Sequence, residues 1–283
     1  MPPIKPKQPS PIHYRWALLV GAFVCLVAAL SLLLSPASPQ GLYAFDIHSP
    51  LAARFLGGCY LAGSAALAVA WRERAWGGAA VIGPGVFAAS ALTLVVTLMT
   101  LDRLHLTAAG PVATAMAWAW LALSVLGPFG WLYLVFANDR GWVADPAERE
   151  PLPRALRVLV SLQAVALLAI GGWLFVAPDS APWPWILGSP TDQLVGAWLV
   201  AGALTGLSVV AERDEGRSRP AFAAGLVFSG VQLLAPLLSP GELGFTRRAI
   251  VYWVVILTLL LAALAGLGRG LRDRRARAAP FVR

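Results

Sequence analysis

Charged residues are scarce in this chain. Asp, Glu, Lys and Arg together make up 13% of the sequence, against roughly 25% in an average soluble domain. Hydrophobic residues reach 58%, and they form runs of about 20 positions, the length that a helix needs to cross the hydrocarbon core of a bilayer. The composition argues against an ordinary soluble domain and predicts an integral membrane protein of the all-α class.

Cysteine is almost absent. Only Cys25 and Cys59 are present, and both lie inside apolar runs. Two such residues offer no disulfide framework and no zinc-type spacing. A buried free cysteine behaves as a small hydrophobic residue, so we expect both to be part of the helix packing.

Groups that carry chemistry are missing from the middle of every apolar run. Ion-coupled transporters and proton relays usually have an ionisable residue there. The three histidines, His13, His48 and His105, all lie outside the runs, which excludes a buried bis-histidine haem. No nucleotide-binding, metalloprotease, serine-hydrolase or CxxC pattern occurs. The sequence predicts no cofactor, no metal site and no catalytic residue.

Eight apolar runs predict eight membrane helices. The predicted spans are 16–34, 51–71, 84–101, 112–136, 155–176, 192–211, 220–238 and 249–268. Pro84 and Pro220 are expected to begin helices, because a residue in the first turn has no intrahelical N–H bond to lose. Pro128 lies within the fourth span and predicts a kink.

Basic residues flank these spans unevenly, which predicts the orientation. With eight crossings, 18 of the 22 basic residues fall on one side, and only Arg54, Arg103, Arg247 and Arg248 on the other. Cytoplasmic loops carry the excess of Lys and Arg, so both termini are predicted in the cytoplasm and the protein in the plasma membrane. The net charge of +8 therefore indicates membrane orientation, and no nucleic-acid partner is expected.

The chain also contains a duplicated stretch, at 35–74 and 177–213. Each copy is a Pro-rich loop with two aromatics, then Ser-Pro, then a small-residue helix that ends in Glu-Arg. The matched positions are Pro36/Pro178, Tyr43/Trp183, Phe45/Trp185, Ser49/Ser189, Pro50/Pro190, Gly57/Gly196, Gly63/Gly202, Glu73/Glu212 and Arg74/Arg213. Because each half contains four spans, both copies enter the membrane from the same face, and we predict two parallel four-helix repeats. The predicted units are a disordered basic tail (1–15), repeat 1 (16–137), a cytoplasmic linker (138–153), repeat 2 (154–268) and a second basic tail (269–283).

The duplicated loops hold the first candidate site. Tyr43, Phe45, Trp183 and Trp185 are expected at headgroup depth, either as an aromatic belt folded over the bundle or as an outer lip that faces lipid or ligand. Asp46 and Arg54 are polar members of the first copy, beside His48. Their counterparts in the second copy are Ile186, Gln193 and Gly188, all uncharged, so an Asp46–Arg54 pair would be a local tie.

Two further sets of candidate residues lie within the predicted helices. Small residues let helix backbones approach in lipid, so Gly57, Gly63, Gly196 and Gly202 predict close packing, with Gly63 and Gly202 against neighbouring backbones and Leu199 toward lipid. The candidate polar core comprises Gln163, Gln232 and Thr93, together with Thr97, Tyr60 and Tyr252. Interhelical hydrogen bonds are the simpler role for them, and contacts to a substrate or pore the alternative.

The stretch "WPWILGSPTDQLVGAW" resembles a loop–helix signature of uncharacterised bacterial integral membrane proteins, in which Arg-x-x-Gly-Ala-Trp recurs. The four-helix unit is also loosely similar to DoxX-type membrane proteins. Here Gln193 stands where that signature often has Arg, while the first copy keeps Arg54 and lacks the Trp. The resemblance implies a bacterial membrane protein and no reaction.

Three functions remain open. The first is a non-enzymatic protein, structural or accessory to a membrane complex, with the lipid bilayer and either a membrane-protein partner or a second copy as partners. The second is a facilitator for a small, weakly polar or lipidic solute housed between the two halves, which a cavity lined by Gln163, Gln232 and Thr93 at membrane depth would favour. The third is a lipid-modifying enzyme at the outer face that uses Asp46 and His48.

Overall fold

Helices account for most of the computed structural model. The residues that it describes are 12–34, 43–47, 49–73, 76–107, 110–138, 151–244 and 246–278. The α-helices are α1 (Ile12–Leu34), α2 (Pro50–Glu73), α3 (Trp76–Met99), α4 (Pro111–Asn138), α5 (Arg154–Val176), α6 (Thr191–Glu212), α7 (Arg219–Leu234) and α8 (Arg247–Ala278). Short 3-10 turns at Leu101–Arg103 and Pro178–Ser180 follow α3 and α5. No strand occurs among these residues, so the predicted all-helical class is confirmed.

Seven of these helices are long and apolar enough to cross a membrane. The remaining helix, α7, has 16 residues, which at 1.5 Å per residue gives about 24 Å. The predicted span 220–238 is too long, because the chain leaves the helix after Leu234 and continues as turns. Its predicted start is confirmed, with Pro220 in the first turn of α7.

The predicted start of the third span at Pro84 is wrong. α3 begins at Trp76, and Pro84 lies inside it. Gly77, Gly78 and Gly83 weaken the helix locally, and proline removes a backbone bond. All three glycines are buried, and a Cβ at Gly83 would overlap the indole of Trp131. Packing therefore keeps this turn helical against its intrinsic propensity.

Other predicted boundaries can be compared only in part. α1 begins at Ile12, so the last residues of the predicted tail 1–15 are helical, while residues 1–11 lie outside the described residues. Most of the predicted linker 138–153 also lies outside them, at 139–150. The predicted tail 269–283 is helical as far as Ala278. Pro128 lies inside α4, and its kink stays a prediction.

The connecting segments meet at two ends of the bundle. At the first, called the aromatic end here, the described parts of four segments contact one another: 43–47 with 49, 101–106, 178–190, and 239–244 with 246–248. The backbone N–H of His105 donates to Ala44 O at 2.9 Å, and Arg103 Nη1 donates to Ser189 O at 2.9 Å. The Ser49 hydroxyl donates to Glu242, which joins the segment after α7 to the start of α2.

The opposite end, called the basic end, joins the starts of α1, α3, α5 and α7 to the ends of α2, α6 and α8. Tyr14 and Trp76 rings meet there at 5.0 Å. Leu152 N donates to Arg213 O at 3.0 Å, and Arg269 Nε lies 3.5 Å from Glu215. Because α7 starts at this end and the segment that follows it reaches the aromatic end, the 16 residues of α7 and that segment together connect the two ends.

The helices pack in a recurring order. α2 lies against α1 and α7, and α6 lies against α5 and α3; α4 packs on α3, and α8 on α7. The second half closes further because α5 also packs on α8, whereas α1 and α4 share no comparable packing.

Close backbone approach occurs at only some of the predicted glycines. A Cβ at Gly196 would lie 2.7 Å from Gly171 O, a backbone atom of α5, whereas one at Gly57 would lie 2.9 Å from the side chain of Leu33 on α1. The packing is looser at Gly63 and Gly202, where the nearest atoms to a Cβ are side-chain atoms at 3.5 Å and 3.7 Å. The prediction that these two lie against neighbouring backbones is wrong.

Candidate functional site

The aromatic end collects the residues proposed as an outer lip, but most of them face inward. Tyr43, Phe45 and Trp185 are buried, with 7%, 5% and 7% of their surface exposed. Trp183 is partly buried, and Ile186 in the same loop is 88% exposed. The alternative of an outer lip that faces lipid or ligand does not fit the three buried rings, whereas the expectation that the loops fold over the bundle fits their burial. Their placement at headgroup depth stays a prediction.

The rings of the second copy close over α2. Phe55 makes edge contacts with Trp183 at 5.3 Å and with Phe228 of α7 at 5.6 Å, and it lies 5.9 Å from Trp185. Trp185 in turn packs edge-on against Tyr252 of α8 at 5.4 Å. Such edge contacts add roughly 0.5–1.5 kcal/mol each beyond area burial, so this cluster ties the α5–α6 loop to three helices.

The rings of the first copy make a second set of ring contacts within the same hydrophobic core. Phe45 and Tyr60 both make edge contacts with Trp120 of α4, at 5.4 Å and 6.3 Å. The Tyr43 hydroxyl donates to Ser31 O of α1. Burial raises the pKa of that hydroxyl to about 12, so Tyr43 keeps its proton at neutral pH and remains a donor.

A small apolar cavity adjoins this second set of rings. It has a volume of about 60 Å³ and lies between α1, α2, α4 and the segment 43–47. Its walls are carbon-rich and include Ala28, Leu32, Leu56, Met116 and Trp120. Neither Gln163, Gln232 nor Thr93 borders it.

The charged residues of the first copy do not pair as expected. Asp46 lies 3.6 Å from His105 Nε2 and forms no ion pair with Arg54. His105 Nδ1 lies 3.1 Å from Tyr43 O. Arg54 Nη1 donates to Ser239, while its buried Nε has no acceptor among the described residues. His48 lies outside the described residues.

Each half also reaches the second helix of the other half. Glu242, after α7, accepts from the Ser49 hydroxyl and lies 3.3 Å from Leu51 N in the first turn of α2. Arg103, after α3, donates to Ser189 O before α6. A carboxylate at a helix N-terminus is favoured by the free N–H groups and the helix dipole.

The predicted polar core does not form one site. Gln232 is fully buried; its Nε2 donates to Phe55 O at 3.0 Å, and its backbone carbonyl accepts from the Tyr252 hydroxyl at 3.0 Å. Gln163 is 8% exposed, and its amide nitrogen has no acceptor among the described residues. Thr93 is buried without a side-chain bond to either glutamine in the described structure.

Sequence reasoning missed an ionic cluster at the basic end. Arg217 pairs with Glu212 and lies 3.5 Å from Asp214, while Arg269 lies 3.5 Å from Glu215. Asp214 and Glu215 are buried, at 4% and 3% exposure. The signal was the dense charge of 212–219, which predicts a loop but not its partners on α8.

These features define a polytopic, all-helical integral membrane protein. Its candidate sites are packing clusters and loop ties, and the described residues include no group of three His, Cys, Asp or Glu suited to a metal ion. In comparisons with known proteins, no family model, curated protein or solved structure matches this chain.

Proposed function

We propose that the chain is a non-enzymatic membrane protein with a structural or accessory role in the bilayer. The observation that supports this most is the tight contact between its halves. A Cβ at Gly85 of α3 would lie 2.6 Å from the backbone oxygen of Ala201 on α6, and one at Gly58 of α2 would lie 2.5 Å from the side chain of Gln232 and 2.9 Å from that of Val231, both on α7. Packing this close leaves little room for a solute between the halves.

The polar residues at this contact support the same proposal. The side-chain amide of Gln232 on α7 donates a hydrogen bond to Phe55 O on α2. Asp46 and His105 engage each other at the aromatic end, beside packed rings rather than beside a substrate-sized cavity. We therefore propose no reaction for Asp46.

We further propose that all eight helices cross the membrane and that the halves are parallel repeats. The matched packing of α1–α2 with α5–α6, of α3–α4 with α7–α8, and of α2–α7 with α6–α3 supports a two-fold relation along the membrane normal. The reciprocal loop contacts of Glu242 and Arg103 fit the same relation. The excess of basic residues at 213–219 and beyond 268 supports a cytoplasmic basic end.

Reconstitution into liposomes tests the proposed function. Purified protein should not accelerate glycerol or urea entry, measured by stopped-flow light scattering, beyond protein-free vesicles. In native nanodiscs its particle mass should exceed that of one 29.9 kDa chain plus lipid, because an accessory protein travels with a partner or a second copy. Saturable solute entry that is lost in Gln232→Leu or Gln163→Leu would overturn the proposal in favour of the facilitator.

A further inference from the structure

We propose that the apolar cavity between α1, α2 and α4 binds an acyl chain of a membrane phospholipid. The first argument is chemical. The wall is almost wholly carbon, from Ala28 and Leu32 of α1, Leu56 of α2, and Met116 and Trp120 of α4. Apolar cavities stay dry and accept apolar guests, so ions and sugars are poor occupants.

The second argument is continuity with the surface that faces lipid. Ala28, Ser31, Met116 and Trp120 are only partly buried. Val27 and Leu30, which neighbour Ala28 and Ser31 in the sequence of α1, are 43% and 44% exposed. A hydrocarbon chain can therefore enter sideways from the bilayer without crossing a polar region.

The third argument is the difference between the halves. α5 and α8 pack together in the second half, whereas α1 and α4 make no comparable backbone approach. The segment with Tyr43, Ala44 and Phe45 closes the cavity at the aromatic end. Two hydrogen bonds hold this segment in place: the Tyr43 hydroxyl donates to Ser31 O, and the backbone N–H of His105 donates to Ala44 O. The site is thus a slot that opens sideways toward lipid and is covered at the aromatic end.

The volume of the cavity limits which part of a lipid can enter it. One water needs roughly 10–15 Å³ of such space, so a cavity of about 60 Å³ holds a short stretch of methylene groups. We expect one chain of a bound phospholipid to occupy it, while the rest of the molecule lies among the bilayer lipids. This inference rests on the membrane placement and is independent of whether the protein is accessory or a facilitator.

Native mass spectrometry of the full chain, released from phosphatidylcholine nanodiscs, tests the site. Wild type should retain a phospholipid. Ala28→Phe fills the slot and should lose it, whereas the matched control Val27→Phe, one residue away on the exposed face, should keep it. Equal retention by both variants, or no retained lipid on wild type, would overturn the proposal.

A second measurement holds even if Ala28→Phe fails to fold. Wild type in vesicles of phosphatidylcholine with a diazirine on the acyl chain is irradiated, digested and mapped. Adducts should be more frequent on residues 28–32 and 116–120 than on the exposed faces of α5 and α8. The proposal would be contradicted if all helices were labelled equally. It would also be contradicted by a crosslink showing that residues 35–42 or a second copy fill the slot.

Discussion

Replacing Gly196 by alanine should loosen the contact between α5 and α6. The new Cβ would lie 2.7 Å from Gly171 O and 2.8 Å from Phe175 N. Because both neighbours are backbone atoms, no side chain can rotate away, and the two helices must separate by several tenths of an ångström. Overpacking of this kind costs about 1–3 kcal/mol.

Gly202→Ala is the matched control on the same helix. Gly202 is exposed, and its Cβ would meet only Leu167 at 3.7 Å. Alanine gains about 1 kcal/mol of helix propensity at either position, so the difference between the variants isolates the steric cost. A change of 1 kcal/mol shifts Tm by about 2–4 °C in domains of 150–250 residues, so Gly196→Ala should melt several degrees below Gly202→Ala in detergent, as followed by tryptophan fluorescence. Equal melting temperatures would refute the close approach at Gly196.

Two further predictions concern polar groups. Gln232→Leu removes the amide that donates to Phe55 O and should destabilise by about 1–3 kcal/mol. Gln163→Leu removes an amide nitrogen that has no acceptor among the described residues and should be neutral or stabilising. Thermal melts of the two variants would contradict this if their order were reversed. Glu242→Ala removes the carboxylate at the first turn of α2 and should lower the free energy of unfolding by about 0.5–2 kcal/mol. The control Asp102→Ala, in the exposed α3–α4 loop, should lower it less. The two melting curves would coincide if Glu242 did not stabilise α2.

The sequence was most informative about the membrane helices. Seven predicted spans match helices of sufficient length, because apolar runs of about 20 residues have few alternatives. The failures came from packing. Pro84 was assigned to a helix start by propensity, but the buried glycines and Trp131 hold a longer helix. Hydropathy also cannot tell a ring at the interface from one folded inward, so the burial of Trp185 and Phe45 was missed.

The glycine predictions failed for a geometric reason. Gly57 and Gly63 are six residues apart, as are Gly196 and Gly202, and at 3.6 residues per turn such positions lie on different faces of a helix. Gly57 and Gly196 therefore approach α1 and α5 closely, whereas Gly63 and Gly202 meet Cys25 of α1 and Leu167 of α5 only at 3.7 Å. Leu199, predicted toward lipid, is 6% exposed, since it packs on the α5 side with Gly171. Partners distant in sequence, such as Asp46 with His105, carried no signal that a single sequence could show.

Labelling of single cysteines tests the membrane arrangement most directly. In a background of Cys25→Ala and Cys59→Ala, Ile186→Cys and Gly244→Cys probe the aromatic end and Arg72→Cys the basic end; all three positions are exposed. With right-side-out vesicles and a membrane-impermeant maleimide, we expect Ile186→Cys and Gly244→Cys to react and Arg72→Cys to react only after permeabilisation. If Gly244→Cys behaved like Arg72→Cys instead, α7 would not cross the membrane, and the account of two four-helix halves would be wrong.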